Sequence, residues 1–143
     1  MKKKIHFLHI GKNAGNQIIH LCRQLEKFNF KFIKENHKIR KIDLPKRSEY
    51  FFSIRDPITR FVSGFYSRKR KGMPKYHIEW SEHEKFAFSE FEHANDLAES
   101  LFRKDIIGQN ALVAVNSISH IAMHQVDWFV KSSNLILNPP LAI

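Results

Sequence analysis

The chain has 143 residues, enough for one domain with a real core and too few for a second. A hydrophobic share of 43% with 13 phenylalanines excludes a disordered chain, and a net charge of +10 points to an anionic partner: nucleic acid, an acidic glycan, a membrane surface or a phosphorylated cofactor. The single cysteine, Cys22, excludes an internal disulfide, and no apolar run has the length of a membrane span.

In chain order, the opening MKKKIHFLHI is interrupted by His6 and His9 and ends at a lysine loop, so it reads as a strand rather than a signal peptide. With the lone thiol this makes a cytoplasmic protein the default expectation. The predicted strand covers Lys4 to Ile10 and stops at Gly11. Ile18, Ile19, Leu21, Cys22 and Leu25 then recur at helical spacing, predicting a helix from about Gly15 to Lys27 with Cys22 as a small buried residue. Phe30 to Ile33 reads as a second strand, followed by a basic connection containing His37. Tyr50 to Ile54 (YFFSI) is a continuous apolar run, suited to a strand covered on both faces.

Asp56-Pro57 is a helix start, with Asp as N-cap and Pro at the first helical position. Ile58, Phe61, Val62, Phe65 and Tyr66 follow as one apolar face, and the basic exit SRKRKG suits the negative end of the dipole, with Gly72 as the stop. Residues 73–93 read as a loop and a short helix. Asn95 is expected to cap a helix carrying Leu97, Ala98, Leu101 and Phe102. A longer helix from about Asp105 to His124 sets Ile107, Ala111, Ala114, Ile118 and Ile121 on one face. Leu135 to Leu137 reads as a last strand. There is no internal repeat, and the order of elements fits an α/β sandwich on a mostly parallel sheet.

Two stretches carry chemistry. FLHIGKNAGNQI, residues 7–18, is a strand, a glycine-bounded loop and a helix start, an arrangement that turns backbone N–H groups and a positive dipole end toward an anion. A triphosphatase loop would end in Gly-Lys followed by Ser or Thr, whose hydroxyl binds magnesium. Here Lys12 stands at the loop entrance and Gly15 is followed by Asn16 and Gln17, so the loop suits an anion but not a magnesium-bound triphosphate. The second stretch, YFFSIRDPITRFVSGFY, places Arg55 at the C-terminal end of a strand, where open α/β sheets bind ligands, and Ser63 on the following helix. A guanidinium fork and a neutral hydroxyl together suit a phosphate monoester.

On these residues the chain resembles the sulfotransferases that use 3′-phosphoadenosine 5′-phosphosulfate (PAPS), particularly the carbohydrate sulfotransferase branch. HIGKNAGNQ is similar to that family's 5′-phosphosulfate loop, commonly H-I-P-K-T-G-G-T-S, and IRDPITRFVSGFY to its 3′-phosphate motif, R-D-P-x-x-R-x-x-S-x-x-Y. Gly11 stands where the family has Pro, and Asn16 and Gln17 where it has Thr and Ser. The resemblance implies a single domain over residues 1–143, a three-layer sandwich with a mostly parallel central sheet and a P-loop-like nucleotide-binding topology. It also implies PAPS as sulfate donor, no metal, and a hydroxyl acceptor, for which the net charge favours an acidic glycan. By position, Lys12 contacts the phosphosulfate and stabilises the leaving bisphosphate. Gly11, Asn13, Ala14, Gly15, Asn16 and Gln17 complete the loop, while Arg55 and Ser63 bind the 3′-phosphate. The family's base commonly falls between the second strand and the Arg55 strand, which selects His37, with an exposed loop histidine as the alternative.

Other patterns have plainer readings. The cluster His77, Glu79, Glu82, His83, Glu84, Glu90, Glu92, His93 lacks metal-site spacing and reads as a solvated acidic face. Arg68 to Lys71 reads as a basic helix end, with nucleic acid or an anionic glycan as alternatives. Arg60 is placed to pair with Asp56 one turn back, and Trp80, Trp128 and Phe129 are expected in the core. Members of the resembled family generally continue beyond a DWF region, so a truncated or minimal form is expected. Three functions remain open on sequence: an active sulfotransferase, a nucleotide-binding remnant, and a basic nucleic-acid-binding module.

Overall fold

The computed structural model describes residues 2–131, 134–135 and 140–141. They form a mixed α/β chain of two compact units, Met1–Arg55 with His124–Ile143, and Asp56–Met123. Among the described residues no helix is long and apolar enough to cross a membrane.

The first unit is built on a three-stranded parallel sheet of β1 (Lys3–Leu8), β2 (Phe30–Lys34) and β3 (Tyr50–Phe52), in the order β2-β1-β3. Helix α1 (Gly15–Leu25) carries the crossover from β1 to β2, and a single 3₁₀ turn, Glu26–Phe28, extends it before Asn29 reverses the chain at φ 72°. Central β1 is covered on both faces, which is why its run Phe7, Leu8 is fully buried. The period of two sorts the side chains. Phe7 stacks on Phe51 at 4.9 Å, and Phe51 meets Phe32 edge-on at 6.1 Å. On the other face Phe52 packs on Phe129 at 4.6 Å, and the Lys41 ammonium lies 4.6 Å from the Tyr50 ring. Phe129 follows a 3₁₀ turn, Gln125–Trp128, and precedes a short antiparallel pair, β4 (Val130–Lys131) and β5 (Asn134–Leu135). The expected last strand coincides with β5 at Leu135, while Leu137 lies outside the described residues.

The second unit holds α2 (Pro57–Lys69), α3 (Glu82–Glu90), α4 (Ala94–Ser100) and α5 (Ile106–Ser117). Phe65, Phe88, Phe91, Leu97, Ala111, Ala114, Ile118 and Ile121 form its core, with Trp80 packed against it. Asp56 caps α2 by accepting from the Thr59 N–H at 2.8 Å, and Gly72 (φ 91°) follows its end as expected. The buried stripe of α2, however, is rotated from the expected one: Arg60, Gly64, Phe65, Ser67 and Arg68 face inward, while Ile58 stays 74% exposed. Two contacts turn the helix. At Gly64 a Cβ would stand 2.5 Å from Ile121 Cγ2, so only glycine admits that approach. At Arg68 the guanidinium is buried in a forked pair with Glu84, Nε to Oε1 and Nη2 to Oε2, both at 2.7 Å. The Arg60 guanidinium donates to the Met123 carbonyl at 3.0 Å.

Glu84 organises the surrounding backbone as well. It closes a capping box with Ser81 at the start of α3 and accepts the Ser119 N–H at 3.3 Å. That last bond, with Ile118 in an extended conformation, ends α5 at Ser117 rather than near His124. Helix α4 is capped at His93, whose N–H donates to Asp96 at 2.9 Å, rather than at Asn95.

Burial alone would raise the Glu84 carboxyl, but hydrogen bonds from Arg68, Ser81 and Ser119 outweigh it and hold it at about 2. Removing one partner of such a pair leaves a buried charge uncompensated, so Glu84→Ala is expected to destabilise the protein by about 3–5 kcal/mol in urea titration. The double variant Arg68→Met with Glu84→Leu should recover most of that loss.

Candidate active site

Strand β1 delivers the chain to the loop through buried His9 and Ile10, and α1 begins at Gly15. Between them Lys12 (φ 66°) and Ala14 (φ 59°) take left-handed conformations, each costing on the order of 1–2 kcal/mol for a non-glycine residue. The loop is held there by Asn13, which is buried between them. Its Nδ2 donates to the Ser53 carbonyl at 2.7 Å and to Gln125 Oε1 at 2.6 Å, and the Ser53 hydroxyl donates to the Asn13 carbonyl at 2.8 Å. Ala14 at the N-cap has no side chain to offer, so the first N–H groups of α1 and its positive dipole end are left without a side-chain cap.

Gly15 is fixed by the preceding strand. A Cβ there would stand 2.0 Å from His9 Nε2, inside the imidazole's own space. The His9 and His37 rings pack at a tilt of 37° with centroids 3.9 Å apart, and His37 Nδ1 donates to the His9 carbonyl at 3.1 Å. That bond places the His37 proton on Nδ1 and the lone pair on Nε2. Burial, then the neighbouring His37 and Lys34, lowers His9 to about 3. His37 is also lowered, by burial against its bond to the His9 carbonyl, with Lys34 and Lys12 adding to the effect. Both rings are therefore neutral at pH 7, and His37 has the free lone pair a general base requires.

The cations around the loop are Lys12, at its entrance, and Lys34, whose Nζ donates to Asn16 Oδ1 at 2.5 Å. Lys34 was not singled out by the sequence reading, yet the parallel register pairs it with Phe7 and so brings it to the strand ends that carry the loop. Arg55 follows β3 and is tied to the same place: its Nη1 donates to the Lys12 carbonyl at 3.3 Å. Gln125, seventy residues on and equally unforeseen, receives the Arg55 N–H at 3.0 Å and donates to the Arg55 carbonyl at 2.8 Å. The structure thus gathers the loop 11–17, Arg55 and His37 within the first unit. Gly11 has an ordinary backbone, and a Cβ there would lie 3.8 Å from His37 Nδ1, so a larger residue would fit. Ser63 is half-buried on α2 in the second unit.

An uncapped helix start, two ammonium groups and a guanidinium form a donor set for an anion with several phosphate-type oxygens. The loop side chains after Gly15, Asn16 and Gln17, offer amides and no hydroxyl.

The neutral histidines have a measurable consequence. With folded pKa values below the ordinary 6.5, the unfolded chain binds more protons as pH falls through 6.5, so stability drops on acidification. Glu84, depressed from 4.5 to about 2, adds its own loss only below 4.5. Urea midpoints should therefore fall between pH 6.5 and 4.5, and His9→Asn should flatten that part of the profile while leaving the steeper acid limb.

Residues 1–115 match a family model described as "Sulfotransferase family". No curated protein matches the chain, and no solved structure does. The matched span takes in the loop, His37, Arg55, Ser63 and the first four helices and part of the fifth, and the chain belongs to the sulfotransferase family.

Proposed function

We propose that the protein transfers a sulfuryl group from PAPS to an acceptor hydroxyl on a saccharide, by metal-free in-line displacement. The observation that carries this reading is the joining of the two motif segments: Arg55 donates to the Lys12 carbonyl and shares Gln125 with Asn13 of the loop. An arginine tethered beside a 5′-phosphate loop is what recognition of a 3′,5′-bisphosphate nucleotide needs. The family's three-layer, P-loop-like nucleotide fold belongs to the same reading.

PAPS supplies the sulfuryl group and a bisphosphate leaving group. The backbone of the loop, residues 11–17, holds the 5′-phosphosulfate, with the Asn13 side chain engaged in holding the loop itself. Lys12 stabilises charge that develops on the bridging oxygen. Arg55, with Ser63 by motif, holds the 3′-phosphate. His37 Nε2 takes the acceptor's proton as its oxygen bonds to sulfur and the bond to the leaving oxygen breaks. The net charge of +10 favours an acidic saccharide.

The nucleic-acid alternative loses its main feature in the second unit. Arg68 is buried against Glu84, Lys71 pairs with Glu79 at 2.6 Å, and the Lys69 ammonium donates to the Glu92 carbonyl.

Calorimetric titration tests the nucleotide: adenosine 3′,5′-bisphosphate should bind about tenfold or more tightly than ATP, the worth of one charge-assisted set of hydrogen bonds. Equal affinities would overturn the reading. Transfer of radiolabelled sulfate from PAPS to a glycan panel tests turnover. His37→Ala should cut that rate by about 10²–10⁴ with bisphosphate affinity retained; an unchanged rate removes His37 as base.

A further inference from the structure

The geometry points to Gln125 as the positioning residue that sets Arg55 for recognition of the 3′-phosphate. This inference rests on the donor assignment above and assigns a role to a side chain outside both motifs. Its amide makes three hydrogen bonds. Oε1 accepts from Asn13 Nδ2 at 2.6 Å and from the Arg55 N–H at 3.0 Å, and Nε2 donates to the Arg55 carbonyl at 2.8 Å. Only a side chain with an acceptor and a donor on one planar group makes all three bonds. Both backbone polar groups of Arg55 are thereby held, so the direction in which its side chain leaves the chain is fixed from a residue seventy positions away. The same oxygen reaches Asn13, so Arg55 and the loop are positioned against one another rather than separately.

Gln125 is itself seated firmly. It opens the 3₁₀ turn Gln125–Trp128, which is closed by the His124 N–H on Asp127 at 2.6 Å and anchored by buried Trp128 and by Phe129 on Phe52. None of these contacts uses the Gln125 amide. Replacing the amide with an apolar group of similar length therefore leaves the seat intact and removes only the three bonds.

The test compares affinities for adenosine 3′,5′-bisphosphate and adenosine 5′-phosphate in the full chain, with melting temperature recorded alongside. Wild type is expected to prefer the bisphosphate. Gln125→Met should lower that preference about tenfold, the equivalent of about 1.4 kcal/mol, with the 5′-phosphate affinity nearly unchanged. Arg55→Ala should remove the preference, and adding Gln125→Met to it should cost nothing further, because Gln125 acts through Arg55. Gln125→Glu keeps both acceptor bonds and loses the donor, so it should show an intermediate preference, and it decides the matter if the methionine variant unfolds. A wild-type preference preserved in the folded Gln125 variants overturns the inference while leaving the donor assignment standing. Equal loss for both nucleotides, or additive loss in the double variant, also overturns it. A wild type with no preference for the 3′-phosphate overturns the donor assignment and the inference together.

Discussion

The first unit depends on one steric fact, the presence of the buried His9 ring where a side chain at position 15 would begin. The ring is there because β1 continues its inward alternation past the last ladder bond. Since residue 15 must lack a Cβ, the chain can close onto the strand end and start α1 directly above it. His37 then completes the arrangement, packed at a tilt against the ring and bonded to the His9 carbonyl. His9 thus sets the loop's curvature and the helix start through its buried ring, and the tautomer of the candidate base through its carbonyl. Its neutral state is what makes the burial tolerable, since a charged ring beside His37 and Lys34 would be opposed by both burial and repulsion.

The second unit answers to a different kind of constraint, the forked pair of Arg68 and Glu84. The two charges are nearly wholly removed from water, and every remaining polar contact of the carboxylate comes from backbone N–H groups of Ser81 and Ser119. The pair therefore fixes the start of α3 and the end of α5 as well as the roll of α2. Positive charge that reads as a surface patch in the sequence is in part internal structure.

Local chemistry was legible wherever local rules decide it. The β1-loop-α1 run, the Asp56-Pro57 start and the Gly72 exit follow from strand period, capping and φ preferences. The α2 stripe was not, because apolar spacing cannot foresee that Gly64 permits a close backbone approach or that Arg68 finds a buried partner sixteen residues away. The Ser81-x-x-Glu84 box was present as a pattern but was absorbed into an acidic cluster, and with it went the true end of α5. Lys34 follows from parallel register once the sheet order is known. Gln125 carries no local signal at all: its role arises only from the fold bringing residues 13, 55 and 125 together.

The vacant cap at Ala14 has a thermodynamic meaning. Most helices satisfy their leading amides with a Ser, Asp or Asn of their own, gaining about 1 kcal/mol. Helix α1 forgoes that, and the loop before it carries two left-handed residues besides. On the proposed reading the donor's 5′-phosphate is the missing cap, so occupancy and helix integrity are linked quantities. Under that proposal the nucleotide completes a secondary-structure element of its host, and the loop is less a container than an unfinished helix.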